Sequence, residues 1–341
     1  MTRVLVGEHS PTFALSLRKL LGAGPELEVV EVCATAEATV DGATRLAPDL
    51  VIMDLDLQGS LDAVRRLMRL HPVAIVAFGA DVARGSAAAA VALAAGCTEV
   101  IPQSQLRVEE PDGAAAIALR HRLRRLARSN SEARANGRPA ESPPVPREQS
   151  LARAAVVGIC ASTGGPAALA AILEDLPPDF PLPLLVVQHI AEGFLDGLVQ
   201  WLDERVLLPV SIARDGMPLR RGVWFAPEDA HLVLSPSMCL ALDRETVIGA
   251  HRPSADMLLT SMADVAGRGA LAVVLTGMGR DGAEGVAAIT EAGGSVIAQD
   301  EASSIVYGMP KVAAQQGAAL VLGLDQIAPT LSQLSLTRTP S

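Results

Sequence analysis

Aromatic residues and positive charge are both scarce in this chain. Phe, Trp and Tyr make up only 2% of its 341 residues although 50% are apolar, so its cores must be aliphatic. The formal net charge of −10 argues against a general nucleic-acid binder, whose surface has to neutralise phosphates. A chain of this length exceeds one ordinary hydrophobic core, and we expect two domains.

Paired cysteines and long apolar runs are also missing. The four cysteines lie far apart without a Cys-x-x-Cys pair, which disfavours a disulfide framework or zinc site and fits a reducing compartment. No apolar stretch approaches the ~20 residues of a membrane helix, and the sequence opens on a strand pattern rather than a signal peptide. We therefore expect a cytoplasmic protein without membrane insertion.

Residues 1–128 alternate short apolar runs with helical patterns. The apolar runs stand at 3–7, 28–34, 49–54, 73–78 and 98–102. Strands that are each followed by a helix predict a parallel sheet covered on both faces, with ligand sites beyond the carboxyl ends of the strands. The Arg-rich run at 120–128 is interpreted as the exposed face of the last helix, or as a docking surface for acidic partners.

The second half of the chain repeats the α/β pattern after a polar segment. Residues 129–150 are rich in Pro, Ser, Asn and charge, and we interpret them as a linker. Residues 151–333 are expected to form a second doubly wound domain, and 334–341 a flexible tail. Its strands are predicted at 154–160, 182–189, 223–227, 231–235, 271–277 and 294–299.

Ser162, His189 and Asp281 each come shortly after the apolar part of a predicted strand. Because the carboxyl ends of parallel strands meet at one edge of a sheet, these residues can converge although they are far apart in the chain. A hydroxyl nucleophile, an imidazole base and an orienting carboxylate are the machinery of a serine hydrolase. A helix that begins after the glycines would also present free N–H groups to an oxyanion.

Each of these residues has a simpler explanation when it is taken alone. Ser162 and Asp281 both stand beside glycines and suit plain turns, and His189 suits a structural histidine. A phosphate-binding loop fits less well, because no lysine follows the glycines and the G-x-G-x-x-G spacing is absent. The order Ser, His, Asp also differs from the Ser, Asp, His order of α/β-hydrolases.

A second polar group occupies the segment HRPSADMLL, residues 251–259. Ser254 is predicted to cap a helix whose first turn carries Asp256. His251 and Arg252 stand just before that helix. A capped surface helix and a contact with substrate explain this segment equally well.

Six segments in order, ASTGGP, QHI, GVWFAP, HRPSADMLL, VVLTGMGRDGA and QDEASSIVYGMP, resemble the catalytic domain of the chemotaxis protein-glutamate methylesterases, the CheB family. The resemblance implies a Rossmann-like domain with Ser162 as nucleophile, His189 as base and Asp281 as orienting acid. It implies hydrolysis of γ-glutamyl methyl esters on methyl-accepting chemoreceptors, with glutamine deamidation as a related activity, and no cofactor for catalysis.

The same resemblance places three further residues and raises one question. Thr163, Gly164 and Met278 match positions that line the active site, near an oxyanion site. Cys160 stands where the family commonly has glycine. A cysteine at the end of a buried strand is expected to be an inert core residue rather than a nucleophile.

Residues 1–128 resemble the flavodoxin-like receiver domain of response regulators, which precedes the esterase in this family and places the chain in two-component signalling. The resemblance implies that Asp54 is the phospho-acceptor, served by a histidine kinase. It also implies that Glu8 and Asp54 hold Mg²⁺, which shields phosphoryl oxygens.

Several receiver positions are changed in this chain. His9 stands where a second acid is expected, Ala77 where a hydroxyl residue is expected, and Gln103 where a lysine is expected. Binding of Mg²⁺ should therefore be weak, and ordinary phosphorylation of Asp54 competes with a pseudo-receiver whose fold is kept for docking.

The sequence thus predicts a monomeric α/β enzyme with two doubly wound parallel-sheet domains joined by a linker. Its function is predicted to be methyl-ester hydrolysis in chemosensory adaptation, regulated by the receiver. Two alternatives stay open: a signalling adaptor with a residual esterase site, and an esterase for another protein substrate.

Overall fold

The computed structural model describes residues 1–71, 73–80, 82, 86–135, 154–247 and 252–336. The chain divides into two compact units, Met1–Asn136 and Gly137–Ser341. Residues 136–150 of the predicted linker and residues 337–341 of the predicted tail lie outside the described residues. Among the described helices, none combines the length and apolar character needed to cross a membrane.

The first unit is a five-stranded parallel sheet in the order β2-β1-β3-β4-β5. Its strands are β1 Thr2–Gly7, β2 Leu27–Cys33, β3 Leu50–Asp54, β4 Ala74–Gly79 and β5 Glu99–Pro102. Its helices are α1 Pro11–Gly22, α2 Ala36–Leu46, α3 Ser60–Leu70, α4 Ala87–Ala95 and α5 Ala114–Ala135. This strand order is that of flavodoxin-like folds, which confirms the predicted fold class.

Side-chain caps begin several helices of this unit. The hydroxyls of Ser10, Thr35 and Ser86 accept hydrogen bonds from backbone N–H groups in the first turns of α1, α2 and α4. Ser10 and Thr35 stand shortly after β1 and β2, so the chain reverses there at the carboxyl edge of the sheet. Polar residues in these turns are thereby brought to one edge.

Helix α5 differs from the sequence interpretation in two ways. It continues to Ala135, into the segment from 129 that was interpreted as linker, because its Ala, Arg and Glu residues favour helix. The Arg-rich run is exposed at Arg122, Arg125 and Arg128, as predicted, but Arg120 is buried and donates hydrogen bonds to Leu20 O (3.1 Å) and Pro111 O (2.6 Å). Arg122 pairs with Glu99 at 2.5 Å, and the docking surface for acidic partners stays a prediction.

The second unit is built on a seven-stranded parallel sheet in the order β14-β13-β12-β6-β7-β9-β8. Its strands, with those of a separate hairpin, are β6 Val156–Ala161, β7 Pro183–Gln188, β8 Val210–Ile212, β9 Gly222–Phe225, β10 His231–Leu234, β11 Leu240–Asp243, β12 Ala270–Val274, β13 Ser295–Gln299 and β14 Leu320–Leu322. Its helices are α6 Gly165–Asp175, α7 Leu195–Asp203, α8 Ala255–Ala266, α9 Ala283–Glu291, α10 Met309–Gln315 and α11 Leu324–Leu336, and α11 extends into the predicted tail.

The predicted strand at 231–235 lies outside the main sheet. It forms β10, which pairs antiparallel with β11 in a two-stranded hairpin. The short connection between them cannot make the crossover that a parallel pair requires. The sequence interpretation also missed β8, β11 and β14, which are only three or four residues long.

Both faces of the large sheet are buried, as in other doubly wound folds. Along β6 the side chains of Val157, Ile159 and Ala161 pack into one apolar cluster, and Val156 and Cys160 pack into the cluster on the opposite face. This alternation follows from the two-residue repeat of a strand. The polar residues that follow β6 therefore begin where the apolar run ends, at the carboxyl edge.

Candidate active site

Ser162 and His189 follow directly after two neighbouring strands. Ala161 and Gln188, the last residues of β6 and β7, are partners in the parallel register, and neighbouring strands lie about 4.8 Å apart. The backbone N–H of His189 donates to Ala161 O at 2.9 Å, which continues the pairing by one step. The two residues therefore lie side by side at the carboxyl edge.

The side chain of Gln188 bridges the backbones of these two residues. Its Nε2 donates to Ser162 O and to His189 O, both at 2.8 Å, and the residue is buried. Sequence analysis missed Gln188, although a polar residue that ends an otherwise apolar run was the signal. The buried amide fixes the backbone positions of Ser162 and His189 relative to each other.

The two glycines after Thr163 are required by the turn that leads into α6. Gly164 has φ of +78°, and a Cβ there would lie 2.6 Å from Ile305 Cδ1. A Cβ on Gly165 would lie 2.0 Å from Gln188 Oε1. The turn thus lets α6 begin directly behind Ser162, with the positive end of its helix dipole at the site.

His189 and Asp281 meet in a short polar contact. His189 Nε2 lies 2.8 Å from Asp281 Oδ2, and both side chains are only 10% exposed. The same carboxylate accepts hydrogen bonds from the N-terminus of α8: from Ser254 Oγ (2.8 Å), Ala255 N (2.7 Å) and Asp256 N (3.1 Å). Asp281 is therefore held rigidly between the imidazole and a helix N-terminus.

This environment keeps Asp281 ionised. Burial alone would raise its pKa, but the hydrogen bonds from His189 and from the Ala255 N–H outweigh burial and hold the pKa far below its usual range. A permanently charged carboxylate stabilises an imidazolium on His189 and fixes the orientation of its ring.

The β10–β11 hairpin contacts Ser254, one of the residues that bind the Asp281 carboxylate. Ser254 caps α8, as predicted, by accepting from Met257 N (3.4 Å), and its hydroxyl donates to Asp281. His231 is buried at the start of β10, where its Nδ1 accepts from Ser254 N at 3.0 Å and its Nε2 lies 3.1 Å from Thr246 O. Sequence analysis missed His231, because its role depends on a hairpin contact that no spacing reveals.

Thr276 and Gly277 line the other side of Ser162. Thr276 O accepts from Ser162 N at 3.1 Å, and Thr276 Oγ1 donates to Thr163 O at 2.9 Å. A Cβ on Gly277 would lie 2.8 Å from Ser162 Cβ, so Met278 follows at a position next to the nucleophile candidate. The loop after β12 and the turn after β6 are thus tied together around Ser162.

Arg252 lines the same cavity as His189, whereas His251 lies outside the described residues. A cavity of about 330 Å³ is lined by His189, Arg252 and Pro253 and by the carboxylates of Glu192 and Glu228. The Arg252 guanidinium is exposed and donates to Thr246 O at 3.2 Å. A cation is thus available at the mouth of the site.

Cys160 does not compete for the role of nucleophile. It is completely buried in β6, and burial raises the pKa of its thiol well above the ordinary value, an effect that the charges of Asp281 and Asp256 increase. A protonated thiol inside a sheet is unreactive. The smaller volume of glycine is not needed at this position, because Cys160 packs within the apolar cluster.

The first unit gathers its own polar residues at the edge of its sheet. Glu8 and Asp54 are buried, and His9 Nδ1 lies 3.4 Å from Glu8 Oε1 and 2.9 Å from Asp54 Oδ2. Burial raises the pKa of Glu8, and the hydrogen bond to Asp54 raises the pKa of His9. Asp54 Oδ1 accepts from Asp56 N at 2.9 Å, so the sequence-predicted acceptor is engaged on both oxygens.

Ala77 and Gln103 stand where the sequence placed them. Ala77 is buried in β4 and pairs with Met53 in the register, one position before the pair formed by Asp54 and Phe78. Gln103 begins a short 3₁₀ turn directly after β5. Neither side chain supplies the hydroxyl or the ammonium group that a phosphorylated carboxylate uses in receiver domains.

Comparisons with known proteins agree with this geometry. The family model described as CheB methylesterase matches residues 157–331. The chain is 43% identical over 318 residues to "Protein-glutamate methylesterase/protein-glutamine glutaminase 4" of Myxococcus xanthus, covering 91% of this chain and 90% of that protein. It is 40% identical to "Protein-glutamate methylesterase/protein-glutamine glutaminase 2" of Anaeromyxobacter dehalogenans, covering 98% and 97%.

A solved structure is similar to the second unit. The crystal structure of the Thermotoga maritima CheB methylesterase catalytic domain is 39% identical, covers 53% of this chain and 98% of that chain, and superimposes with a TM-score of 0.51. The similarity therefore extends over the whole of that catalytic domain.

Proposed function

This chain belongs to the CheB methylesterase family, and we propose that Ser162, His189 and Asp281 are the triad with which it hydrolyses γ-glutamyl methyl esters of chemoreceptors. The observation that carries this proposal is the 2.8 Å contact between His189 Nε2 and Asp281, at a sheet edge where Ser162 is the neighbouring residue. Hydrolysis by such a triad needs no cofactor.

The contact also assigns roles to the two ring nitrogens of His189. If Nε2 carries the proton that is donated to Asp281, Nδ1 is the unprotonated nitrogen of the neutral ring and acts as the general base. Ser162 Oγ then attacks the ester carbonyl while Nδ1 takes its proton, and the imidazolium returns that proton to the departing methanol. Water attacks the acyl-enzyme in the same way and releases glutamate.

Backbone donors near Ser162 are proposed to bind the oxyanion. The N–H groups of Ser162, Gly165 and Gly277 already bind carbonyl oxygens within the protein. The N–H groups of Thr163, Gly164 and Met278 remain as the candidates, and the dipole of α6 adds to their effect. A glutamine amide presents the same carbonyl with ammonia as leaving group, so deamidation uses the same atoms.

Arg252 is proposed as a substrate contact. Arg252 lines the cavity that His189 also lines, and its guanidinium can pair with carboxylates next to the methylated glutamate on an acidic receptor segment. Such a contact acts on binding rather than on the chemical step, so its loss should raise KM more than it lowers kcat. His251 was predicted to share this role and stays a prediction.

Methanol release from methylated receptors tests the proposal directly. Ser162→Ala should lower the rate by roughly 10⁴–10⁶-fold, because triad members act as a unit. Ser211→Ala, in the short strand β8, is the matched control and should keep the wild-type rate. Equal rates for wild type and Ser162→Ala would favour an adaptor with an unused site. If Ser162→Ala lowered the rate of hydrolysis of simple esters but did not change methanol release from receptors, the enzyme would act on another protein substrate.

The receiver unit is proposed to regulate the esterase as a pseudo-receiver rather than through ordinary phosphorylation. The engaged oxygens of Asp54, the buried Ala77 and the neutral Gln103 support this proposal. Mg²⁺ held by Glu8 and Asp54, a histidine-kinase partner, a monomeric state and a cytoplasmic location stay predictions. Incubation with acetyl phosphate and Mg²⁺ should leave the intact mass unchanged, and a phosphoryl adduct lost in Asp54→Asn would contradict the proposal.

A further inference from the structure

Two buried carboxylates and an imidazole converge at the carboxyl edge of the receiver sheet. Glu8 follows β1 and Asp54 ends β3, and these strands are neighbours in the sheet. One ligand atom from each of Glu8, His9 and Asp54 lies within 4.8 Å of the others. The groups come from two separated parts of the chain, so the sheet itself brings them together.

The distances fit a shared metal ion. Donor atoms that bind one ion at about 2.0–2.2 Å lie about 3.0–3.5 Å apart. His9 Nδ1 lies 2.9 Å from Asp54 Oδ2 and 3.4 Å from Glu8 Oε1. Only small side-chain movements would therefore place an ion between the three donors.

The burial and the acidic character of Glu8 and Asp54 also favour a bound cation. Glu8 and Asp54 are 4% and 3% exposed, so two carboxyl groups share a site from which water is nearly excluded. The side chain of His9 is 59% exposed, so the ring can adjust and water can complete a coordination shell on the open side. A divalent cation between the three groups would neutralise both carboxylates.

The nitrogen donor decides which cation fits. Mg²⁺ demands an octahedron of oxygen ligands, whereas imidazole with carboxylates suits Zn²⁺ and related first-row ions. We propose that Glu8, His9 and Asp54 form a three-ligand site for a divalent transition metal, with Zn²⁺ preferred over Mg²⁺. The metal would engage Asp54 Oδ2, so metal binding and phosphorylation draw on the same carboxylate.

Competition between the two metals tests this site in the full chain. The protein carries Cys239→Ser, because Cys239 is the partly exposed thiol and the other three cysteines are buried. After treatment with a chelator, Zn²⁺ is titrated against a chromophoric indicator in the presence of millimolar Mg²⁺. We expect one tight Zn²⁺ per chain that excess Mg²⁺ does not displace.

Substitutions of single residues test which side chains bind the metal. Loss of an outer contact typically weakens metal binding about 10–100-fold, so loss of a ligand in His9→Gln should weaken Zn²⁺ at least that much. His9→Asp should restore an oxygen-only set in which Mg²⁺ competes, and the visible spectrum of bound Co²⁺ should change in both variants. His71→Gln, at the end of α3, is the matched control and should bind like the parent.

Three results would overturn the proposal. They are Zn²⁺ affinity that is unchanged in His9→Gln, displacement of Zn²⁺ from the parent by Mg²⁺, and no stoichiometric binding of either metal to the parent. The last result would leave His9 as an internal counter-ion of Asp54.

Discussion

Asp281 in the second unit and Asp54 in the first unit both lie at the carboxyl edge of a parallel sheet, but their surroundings differ. Asp281 accepts hydrogen bonds from His189, Ser254 and the first N–H groups of α8, all from its own unit. Asp54 shares one imidazole with a second buried acid, Glu8. Several donors of its own unit fix Asp281 for chemistry, whereas Asp54, although engaged on both oxygens, shares a single imidazole with Glu8 and leaves room for an added cation.

The largest difference between the two carboxylates should appear in catalysis. Asp281→Asn should lower kcat for methanol release by roughly 10⁴-fold, because an amide no longer stabilises the imidazolium or selects the ring tautomer. Asp175→Asn, at the exposed end of α6, serves as the control and should keep the wild-type kcat. A fall of less than about ten-fold in Asp281→Asn would remove this residue from the triad.

The glycine turn gives the next largest effect. The methyl group of Gly165→Ala would collide with Gln188 Oε1 and displace the amide that bridges Ser162 and His189. We expect the free energy of unfolding to fall by about 1–3 kcal/mol, together with the esterase rate. Gly22→Ala, where an added Cβ meets nothing within 4 Å, should be neutral in urea unfolding. Unchanged stability and rate in Gly165→Ala would contradict the packing described for this turn.

The charge of Asp281 should also be visible in the pH dependence of stability. Because its folded-state pKa lies far below the unfolded value near 3.9, ionised Asp281 stabilises the fold by on the order of 2–3 kcal/mol above that pH. This contribution should be lost as the pH falls from about 4 towards the folded-state pKa. Urea unfolding of wild type and Asp281→Asn should differ between pH 7 and 5 and converge at lower pH, and convergence already at pH 6 would argue against this assignment.

The cap of α8 should have a smaller effect. Ser254→Ala loses the cap and the hydroxyl bond to Asp281, which should cost about 1 kcal/mol of stability and roughly ten-fold in kcat. Ser254→Thr keeps the hydroxyl and should rescue most of both. Failure of threonine to rescue kcat while stability recovers would separate the cap from the orientation of Asp281.

The carboxylate of Asp54 should have the smallest effect. Asp54→Asn should leave methanol release by the full chain unchanged in the presence of acetyl phosphate and Mg²⁺, because no phosphoryl group is expected on Asp54. If acetyl phosphate raised the rate of the wild type but not that of Asp54→Asn, Asp54 would be a working phospho-acceptor. Ordinary regulation by phosphorylation would then replace the pseudo-receiver proposal.

The sequence predicted those features that depend on short-range pattern. Apolar runs placed β6 and β7, and the polar residues after them, Ser162 and His189, mark the edge where the strands end. Features that depend on distant contacts were out of reach. His231 acts through Ser254, and Gln188 bridges two backbones, and both contacts arise only when hairpin, helix and strands have packed.

Length and side-chain direction explain the remaining differences. Strands of three or four residues such as β8 and β14 carry too few positions for a two-residue repeat to be recognised. The Arg-rich run of α5 looked solvent-exposed because charge alone does not show which arginines turn inward. Arg120 points inward because its guanidinium donates hydrogen bonds to the carbonyl oxygens of Leu20 and Pro111.

Labelling with a serine-directed fluorophosphonate tests the triad most directly, because the reagent reads the activated hydroxyl without a receptor substrate. Wild type should gain one adduct, located at Ser162 by peptide mass analysis, and His189→Gln and Asp281→Asn should react at least about 10³-fold more slowly. Cys160 should stay unlabelled in all variants. An adduct elsewhere, or equal labelling rates in wild type and the His189 and Asp281 variants, would contradict the account.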